Sequence, residues 1–205
     1  MIIQPRIYLA SQSPRRRELL KQIGVNFEML LLRSDPRRNV DVDETPFAQE
    51  SPEDYVRRVC EAKAKAGWNG LNLRNLPAFP VLAADTSVIL DGRIIGKPCD
   101  RDEAAAMLRQ LSGQQHQVLS AVAVSFEERT ETRLSVSKIT FATLSEERIM
   151  RYILTNEPLD KAGAYGIQGY AAAFIQEMEG SYSGVMGLPL FETAELLQLF
   201  GYPVL

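Results

Sequence analysis

The sequence predicts an α/β fold in which one extended mixed β-sheet has helices packed around two lobes and a central cleft. Helical and strand patterns alternate along the chain, which is typical of α/β proteins. Two long alternating stretches, Gln117–Phe126 and Thr132–Phe141, flank the charged turn Glu127–Glu131 and predict a long antiparallel hairpin. Because no linker, internal repeat or low-complexity segment divides the chain, residues 1–205 are expected to form a single domain.

The first predicted elements are a strand over Arg6–Ala10 and a helix over Pro14–Gln22. Ser13 is placed to cap the helix with its hydroxyl, proline suits the first helical position, and Gly24 ends the helix. The free N–H groups and the positive end of the helix dipole favour an anion at this point. Arg15–Arg17 lie in the same turn, although the helix dipole disfavours positive charge there. This turn is therefore either a solvated basic surface or a polyphosphate site.

The remaining elements follow from local start and stop signals. Ser51-Pro52-Glu53-Asp54 predicts a helix that runs to about Gly67, whereas Arg33–Glu50 and Asn69–Pro80 are expected to be loops. Asp91-Gly92 is a strong hairpin turn signal. The other predicted elements are strands over Phe27–Leu32, Val81–Ala84, Ser87–Leu90, Arg93–Ile95 and Ala172–Glu179, and helices that begin near Asp100, Ser145 and Pro189.

Composition and charge exclude several classes of protein. The chain has 205 residues, of which 45% are apolar and 24% charged, as in an ordinary globular protein. A formal net charge of −3 argues against a general nucleic-acid binder but is compatible with a local basic pocket. No apolar run reaches the roughly 20 residues of a membrane span, and Pro5 and Arg6 interrupt the stretch that a secretory signal needs. We therefore expect a cytoplasmic protein that binds neither membrane nor nucleic acid.

Histidine and cysteine chemistry is not indicated. His116 is the only histidine, which argues against a histidine-based triad or a histidine-rich metal site. Cys60 and Cys99 lack the spacing of a metal-binding pair. Acid–base and metal chemistry must therefore rest on carboxylates and lysines.

Two groups of carboxylates are candidates for this chemistry. Asp85 directly follows the predicted strand Val81–Ala84, and ligands of open α/β sheets gather beyond the carboxyl ends of strands. It can bind a divalent ion or take a proton from water, or it only caps a turn. Asp41, Asp43 and Glu44 cluster in the long loop, where they either bind Mg²⁺ or Mn²⁺ or form a solvated acidic surface.

Two lysines are further candidates for the functional site. Lys63 lies beside the apolar stripe of its helix, so it either snorkels to solvent or points into a cleft. Gly96 and Pro98 are expected to hold Lys97 in a fixed turn rather than on a solvated face. Either ammonium group can pair with phosphate oxygens.

The stretch Gly163–Gly169 is either a ligand-binding loop or a structural turn. Glycines let the backbone approach a ligand closely, and Gln168 offers the donor and the acceptor that reading a base edge requires. Neither a P-loop motif nor a G-x-G-x-x-G motif after a strand is present. A P-loop NTPase and a Rossmann dinucleotide site are therefore not predicted.

In combination, these motifs resemble those of the Maf family, nucleoside triphosphate pyrophosphatases that are also described as septum-formation inhibitors. The resemblance covers essentially the whole chain. Its motifs are Leu9-Ala10-Ser11-x-Ser13-Pro14-Arg15-Arg16-x-Glu18-Leu19-Leu20, Val42-Asp43-Glu44, Glu61-x-Lys63-Ala64, Ala84-Asp85-Thr86, Gly96-Lys97-Pro98, Leu111-Ser112-Gly113, Ala162-Gly163-Ala164-Tyr165-Gly166-Ile167-Gln168-Gly169 and Gly187-Leu188-Pro189.

The resemblance implies a homodimer that cleaves nucleoside triphosphates to the monophosphate and pyrophosphate with a divalent metal, Mg²⁺ or Mn²⁺. It implies that Asp85 accepts a proton and that Arg15, Thr86 and Gln168 select the base. This set is similar to the branch that acts on dTTP and UTP, and modified pyrimidine nucleotides are also compatible with it. The alternative that the family implies is a nucleotide-binding regulator of cell division whose hydrolysis is incidental.

For the triphosphate, we expect binding by Arg15, Arg16, Lys63 and Lys97, assisted by backbone N–H groups near Ser13. These cations would balance the roughly four negative charges of the substrate. The predicted site is thus a cationic pocket inside an acidic protein.

For the metal, we expect Glu44 and Asp85 to be the ligands. The loop Arg33–Asp41 is longer than in the related branch, so Asp41 and Asp43 remain alternatives to Glu44. Asp85 is also expected to orient or deprotonate the attacking water.

Overall fold

The computed structural model describes residues 6–33 and 40–204 of the chain. No helix within these ranges is long and apolar enough to cross a membrane. The strands are β1 (Ile7–Leu9), β2 (Phe27–Met29), β3 (Val81–Leu90), β4 (Arg93–Ile95), β5 (Gln115–Phe126), β6 (Arg129–Phe141) and β7 (Ile175–Glu179). The helices are α1 (Pro14–Gln22), α2 (Pro52–Leu73), α3 (Arg101–Leu111), α4 (Glu146–Ile153), α5 (Tyr182–Met186) and α6 (Leu190–Leu199).

The strands form one mixed sheet, as predicted. The order of the described strands is β2-β1-β3-β5-β6-β7, with β4 paired to β3. β1 is parallel to both β2 and β3, whereas β3 with β4 and β6 with β7 form antiparallel pairs. The predicted α/β class is therefore confirmed, and the two long strands β5 and β6 are neighbours in the sheet.

Contacts divide the chain into two compact units. The first comprises Met1–Asp85, Ser120–Leu134 and Gly187–Leu205, and the second comprises Thr86–Leu119 and Ser135–Met186. The chain passes between the units inside β3, β5 and β6, and once more between α5 and α6. Because three of these four crossings lie inside strands, the sequence contains no recognisable linker at those points. The single domain over residues 1–205 and the cleft between two lobes stay predictions.

In the first unit, α2 extends beyond its predicted end. The sequence predicts a stop near Gly67, but the helix continues to Leu73 and includes the start of the predicted loop. A Cβ atom at Gly67 would lie 2.7 Å from Val81 Cγ1 and 3.3 Å from Leu30 Cδ2. Glycine at this position therefore serves the close approach of α2 to β3 and does not end the helix.

Most local signals in the second unit are confirmed. Asp91 and Gly92 adopt φ angles of 49° and 74°, the left-handed pair that a two-residue hairpin requires. Asp100 and Ser145 each cap a helix by accepting a hydrogen bond from the backbone N–H three residues ahead.

Further predicted features differ from the structure. Ser13 stands at the N-cap position of α1, but its side chain makes no capping hydrogen bond. The strand predicted over Ala172–Glu179 begins only at Ile175, because Tyr170–Phe174 forms a 3₁₀ turn.

Aromatic rings surround His116 in the core of the second unit. The imidazole is 2% exposed and its Nε2 atom lies 2.8 Å from Tyr165 Oη. The Phe141 ring packs edge-on against it at 5.0 Å between centroids, and the buried Nδ1 atom has no hydrogen-bond partner among the described residues. Burial lowers the pKa of His116 to about 4, so the folded protein holds this side chain neutral.

This buried histidine predicts a loss of stability in mild acid. Below pH 6.5 the unfolded chain binds a proton at His116, whereas the folded chain does not bind it until about pH 4. The free energy of unfolding therefore falls as the pH drops from 6.5 to 4. Between pH 7 and pH 5 we expect wild type to lose about 2 kcal/mol more than His116→Gln. Urea unfolding at both pH values measures the difference, and equal losses in the two proteins would contradict the prediction.

Candidate active site

The loop between β1 and α1 holds an arginine in place. Ser11 Oγ accepts hydrogen bonds from the Ser13 backbone N–H and from an Arg16 terminal nitrogen, both at 3.2 Å. Arg16 Nε donates to the Gly187 carbonyl oxygen at 2.8 Å. Burial lowers the pKa of Arg16, and the negative charges of Asp85 and Glu44 oppose that shift. The guanidinium is thus immobilised within electrostatic reach of both carboxylates.

Lys63 connects the two predicted metal ligands. Its Nζ atom lies 2.8 Å from Asp85 Oδ1 and 3.0 Å from Glu44 Oε1. The side chains of Lys63 and Asp85 are only 16% and 12% exposed, so this lysine does not snorkel to solvent. Burial acts to lower the pKa of Lys63, but the charges of Asp85 and Glu44 together outweigh it and raise the pKa. The ammonium group is therefore fixed between two carboxylates.

Asp85 reaches this position from the interior of a strand. The sequence predicts a strand that ends before Asp85, but β3 continues to Leu90, so the predicted strand end is wrong. A carboxylate can lie inside a buried strand here because Lys63 on α2 provides the opposite charge. Next to it, the Cys60 thiol contacts the Ala83 carbonyl oxygen at 3.5 Å, and burial followed by the charge of Asp85 raises its pKa. Cys60 is consequently an unreactive thiol.

The three loop carboxylates make different contacts. Asp41 accepts hydrogen bonds from the Arg33 backbone N–H and from Arg33 Nε, both at 2.8 Å. Asp43 Oδ1 accepts from the Thr45 N–H at 2.9 Å. Asp41 and Asp43 thus make contacts within their own loop, whereas Glu44 shares Lys63 with Asp85.

Two side chains of α2 hold the segment that carries Glu44. Tyr55 Oη donates to the Glu44 carbonyl oxygen at 3.0 Å. Arg58 donates to both oxygens of the Glu50 carboxylate, at 2.6 and 2.8 Å, and to the Thr45 carbonyl oxygen at 3.0 Å. The guanidinium carbon also lies 3.9 Å from the centre of the Phe47 ring. Arg58 is therefore the main tether between α2 and this loop.

Replacing Arg58 with alanine should release the segment around Glu44. We expect the free energy of unfolding to fall by about 1–2 kcal/mol, because charged hydrogen bonds and a cation–π contact are lost from a partly exposed site. Limited proteolysis should then cut between residues 40 and 50 faster than in wild type. Arg57→Ala, on the same helix, is the matched control, and equal cleavage rates in all three proteins would contradict the tether.

The remaining predicted site residues belong to the second unit. Thr86 is partly buried, while Lys97 and Gln168 are exposed. The expectation that Lys97 avoids a solvated face is therefore wrong, although its turn is held, since the Gly163 N–H donates to the Gly96 carbonyl oxygen at 2.9 Å. Arg15, in the first unit, is partly exposed in the first turn of α1.

Three residues that organise the first unit's site were not among the predicted site residues: Ser11, Tyr55 and Arg58. Ser11 lies in the first of the family motifs, but its role depends on the side chain of Arg16, five residues away. The sequence pattern places Tyr55 on the apolar stripe of its helix, although a hydroxyl on such a stripe usually needs a partner. The i, i+3 spacing of Tyr55 and Arg58 places both on one helix face, which is the signal that could have found them.

Together, the fold and the site define an α/β protein in which fixed cations lie beside two carboxylates, a combination suited to phosphorylated substrates. Among the residues that the structure describes, no group of three or more histidine, cysteine, aspartate or glutamate side chains is arranged to hold a metal ion. The family model described as Maf-like protein matches residues 6–200, and the chain belongs to the Maf family.

Curated relatives match the chain over nearly its full length. A protein from Aromatoleum aromaticum is 58% identical over 203 residues, which is 98% of each chain. One from Nitrosomonas europaea is 57% identical over 97% of this chain and 96% of its own. Both are named dTTP/UTP pyrophosphatase. Among solved structures, the Ham1 protein of Staphylococcus aureus aligns with a TM-score of 0.47 and 16% identity, over 95% of this chain and 97% of that one.

Proposed function

We propose that this protein is a nucleoside triphosphate pyrophosphatase that hydrolyses dTTP and UTP to the monophosphate and pyrophosphate. The names of relatives more than 50% identical over nearly the whole chain support this activity. The structural observation that carries it is the Lys63 ammonium between Glu44 and Asp85, with Arg16 nearby. This arrangement supplies cations for phosphate oxygens and a carboxylate for a proton in one place.

The cations bind the triphosphate. Arg16 is held by Ser11 and Gly187, so it presents its guanidinium to a phosphate with little loss of side-chain freedom. Lys63 is a mostly buried point charge, and Arg15 and Lys97 complete the proposed set. The N–H groups at the start of α1, next to Ser13, provide further donors.

The donor set of the first unit fits a divalent metal. Glu44 and Asp85 turn oxygen atoms towards one shared cation, and Mg²⁺ in proteins is commonly held by one or two carboxylates together with substrate phosphates. We propose that these two side chains hold Mg²⁺ or Mn²⁺. When bound, the metal supplies neutralisation of the charge that develops on the phosphate oxygens.

Asp85 acts as the base in the proposed reaction. A water oxygen attacks the α-phosphorus, its proton passes to the Asp85 carboxylate, and the bond to the bridging oxygen breaks to release pyrophosphate. Lys63 Nζ lies 2.8 Å from Asp85 Oδ1 and so fixes the orientation of the carboxylate. No histidine is required.

Base selection is assigned to Arg15, Thr86 and Gln168. Gln168 is exposed, so its amide can donate to and accept from a pyrimidine edge. Modified pyrimidine nucleotides are compatible with this mode of recognition. The homodimer stays a prediction.

The experiment that tests the proposal is pyrophosphate release by the purified protein with Mg²⁺ or Mn²⁺ across the eight common nucleoside triphosphates and 7-methyl-GTP. We expect dTTP and UTP to be hydrolysed preferentially. Tight binding without turnover would favour the regulatory alternative. Turnover of 7-methyl-GTP alone would keep the chemistry but overturn the assignment of base selection.

A further inference from the structure

We infer that Glu157 is a positioning residue for base selection, because it clasps the two ends of the loop that carries Gln168. This inference rests on the proposed role of Gln168. The clasp consists of the Glu157 carboxylate and backbone, the Lys161 side chain and the two glycines Gly166 and Gly169. All of these residues belong to the second unit.

Glu157 contacts both the beginning and the end of the loop. At the beginning, Lys161 Nζ donates to the Glu157 carbonyl oxygen at 2.6 Å. At the end, Glu157 Oε2 accepts a hydrogen bond from the Tyr170 backbone N–H at 3.0 Å. The other carboxylate oxygen, Oε1, accepts from Tyr152 Oη at 2.8 Å, which ties the clasp to α4. One residue thus closes a loop of about ten residues.

Two glycines of the loop leave the space that the side chains of the clasp occupy. A Cβ atom at Gly169 would overlap the Glu157 carboxylate, and a Cβ atom at Gly166 would lie 2.9 Å from Lys161 Cε. Gly169 has a φ of −108°, which any residue can adopt, so its backbone does not require glycine. The space beside Gly169 is instead taken up by the Glu157 carboxylate.

Gln168 lies between these two glycines and owes its placement to its neighbours. Tyr165 and Ile167 are buried at 5% and 6% exposure, whereas Gln168 is exposed. The Gly169 N–H donates to the Gly166 carbonyl oxygen at 3.0 Å, which makes a tight turn around Gln168. An exposed amide reads a base only if its backbone is held in advance, and the clasp provides that restraint.

The test uses two substitutions that disturb the clasp from opposite sides. Glu157→Ala removes the carboxylate, and Gly169→Ala forces the carboxylate away from Tyr170 while leaving Glu157 present. Each should raise KM for UTP about tenfold and lower the ratio of kcat/KM for UTP over CTP about tenfold, with kcat changed less. The double variant should be no worse than either single variant, because both remove the same interaction.

Glu157→Gln is the conservative control. Its amide oxygen can still accept from the Tyr170 N–H, while its amide nitrogen donates to Tyr152 Oη. We expect this variant to keep the wild-type ratio within about threefold. Hydrogen–deuterium exchange over residues 161–174 should be faster in the two alanine variants and unchanged in Glu157→Gln, which reports on the clasp without reference to activity.

Gln168→Ala separates failure of the inference from failure of its premise. If Gln168→Ala lowers the UTP-to-CTP ratio but neither clasp variant does, the inference is wrong. The inference is also wrong if the clasp variants have a lower active fraction but an unchanged KM and an unchanged UTP-to-CTP ratio of kcat/KM. Glu157 would then only support folding. If wild type does not prefer UTP, or Gln168→Ala leaves the ratio unchanged, the proposed role of Gln168 fails and the inference fails with it. If Glu157→Ala does not fold, the effect of Gly169→Ala on the UTP-to-CTP ratio of kcat/KM still tests the inference.

Discussion

Replacing Asp85 with asparagine should lower kcat for pyrophosphate release by about a thousandfold, since general-base catalysis contributes about 10²–10⁴. Asparagine has nearly the same shape and can still accept a hydrogen bond from Lys63 Nζ, but it cannot take a proton from water. It also removes one of the two carboxylates that fit a metal. The change should leave the fold intact because Lys63 keeps its contact with Glu44.

Asp91→Asn is the matched control for this prediction. Asp91 is an exposed carboxylate with a φ of 49° in the hairpin turn between β3 and β4, and asparagine is well suited to that conformation. Steady-state kinetics and thermal unfolding of both variants separate chemistry from stability. Near wild-type turnover by Asp85→Asn would remove Asp85 from the proposed mechanism.

Much of the fold was predictable because its signals are local. α1 begins and ends at the predicted residues, Pro14 and Gln22, because proline fixes its start and the glycine at 24 adopts the left-handed φ of 70° that follows a helix end. The Asp91-Gly92 hairpin was predictable for the same reason. In each case a few adjacent residues decide the backbone conformation.

The failures arise where distant residues decide the local structure. Gly67 has the local signature of a helix stop, but it lies inside α2, and glycine stands there because Val81 on β3 leaves no room for a side chain. Asp85 has the signature of a strand end, but Lys63 neutralises it inside β3. Neither contact is visible from the residues that flank these positions.

The candidate site was likewise predictable only in part. The motifs predicted which residues carry charge, but not that Lys63 would contact both Glu44 and Asp85. They also did not include Arg58 or Glu157, whose partners Glu50 and Tyr170 lie 8 and 13 residues away along the chain. Spacing can place such a supporting residue on one helix face, but a structure is needed to show which side chain or loop it holds.

Replacing Lys63 with methionine should harm activity and stability for separable reasons. Activity should fall by at least about a hundredfold, because the phosphate loses a cation and Asp85 loses the group that orients it. Stability at pH 7 should fall by about 2 kcal/mol, since Asp85 becomes a mostly buried carboxylate without its ammonium partner. The loss is smaller than for a fully buried pair because the Lys63 side chain keeps 16% exposure.

The double variant Lys63→Met/Asp85→Asn tests this separation. With no uncompensated charge left in β3, it should recover most of the lost stability, whereas its activity should stay as low as that of Asp85→Asn. Lys65→Met is the control on the same helix, because Lys65 is an exposed side chain whose contact with Glu61 at 3.6 Å is worth little. Urea unfolding and pyrophosphate release should be measured on all four variants.

A double variant as unstable as Lys63→Met would show that lost packing, and not the unpaired Asp85 charge, causes the destabilisation. Full activity in Lys63→Met would exclude Lys63 from phosphate binding, whatever its contacts with Glu44 and Asp85.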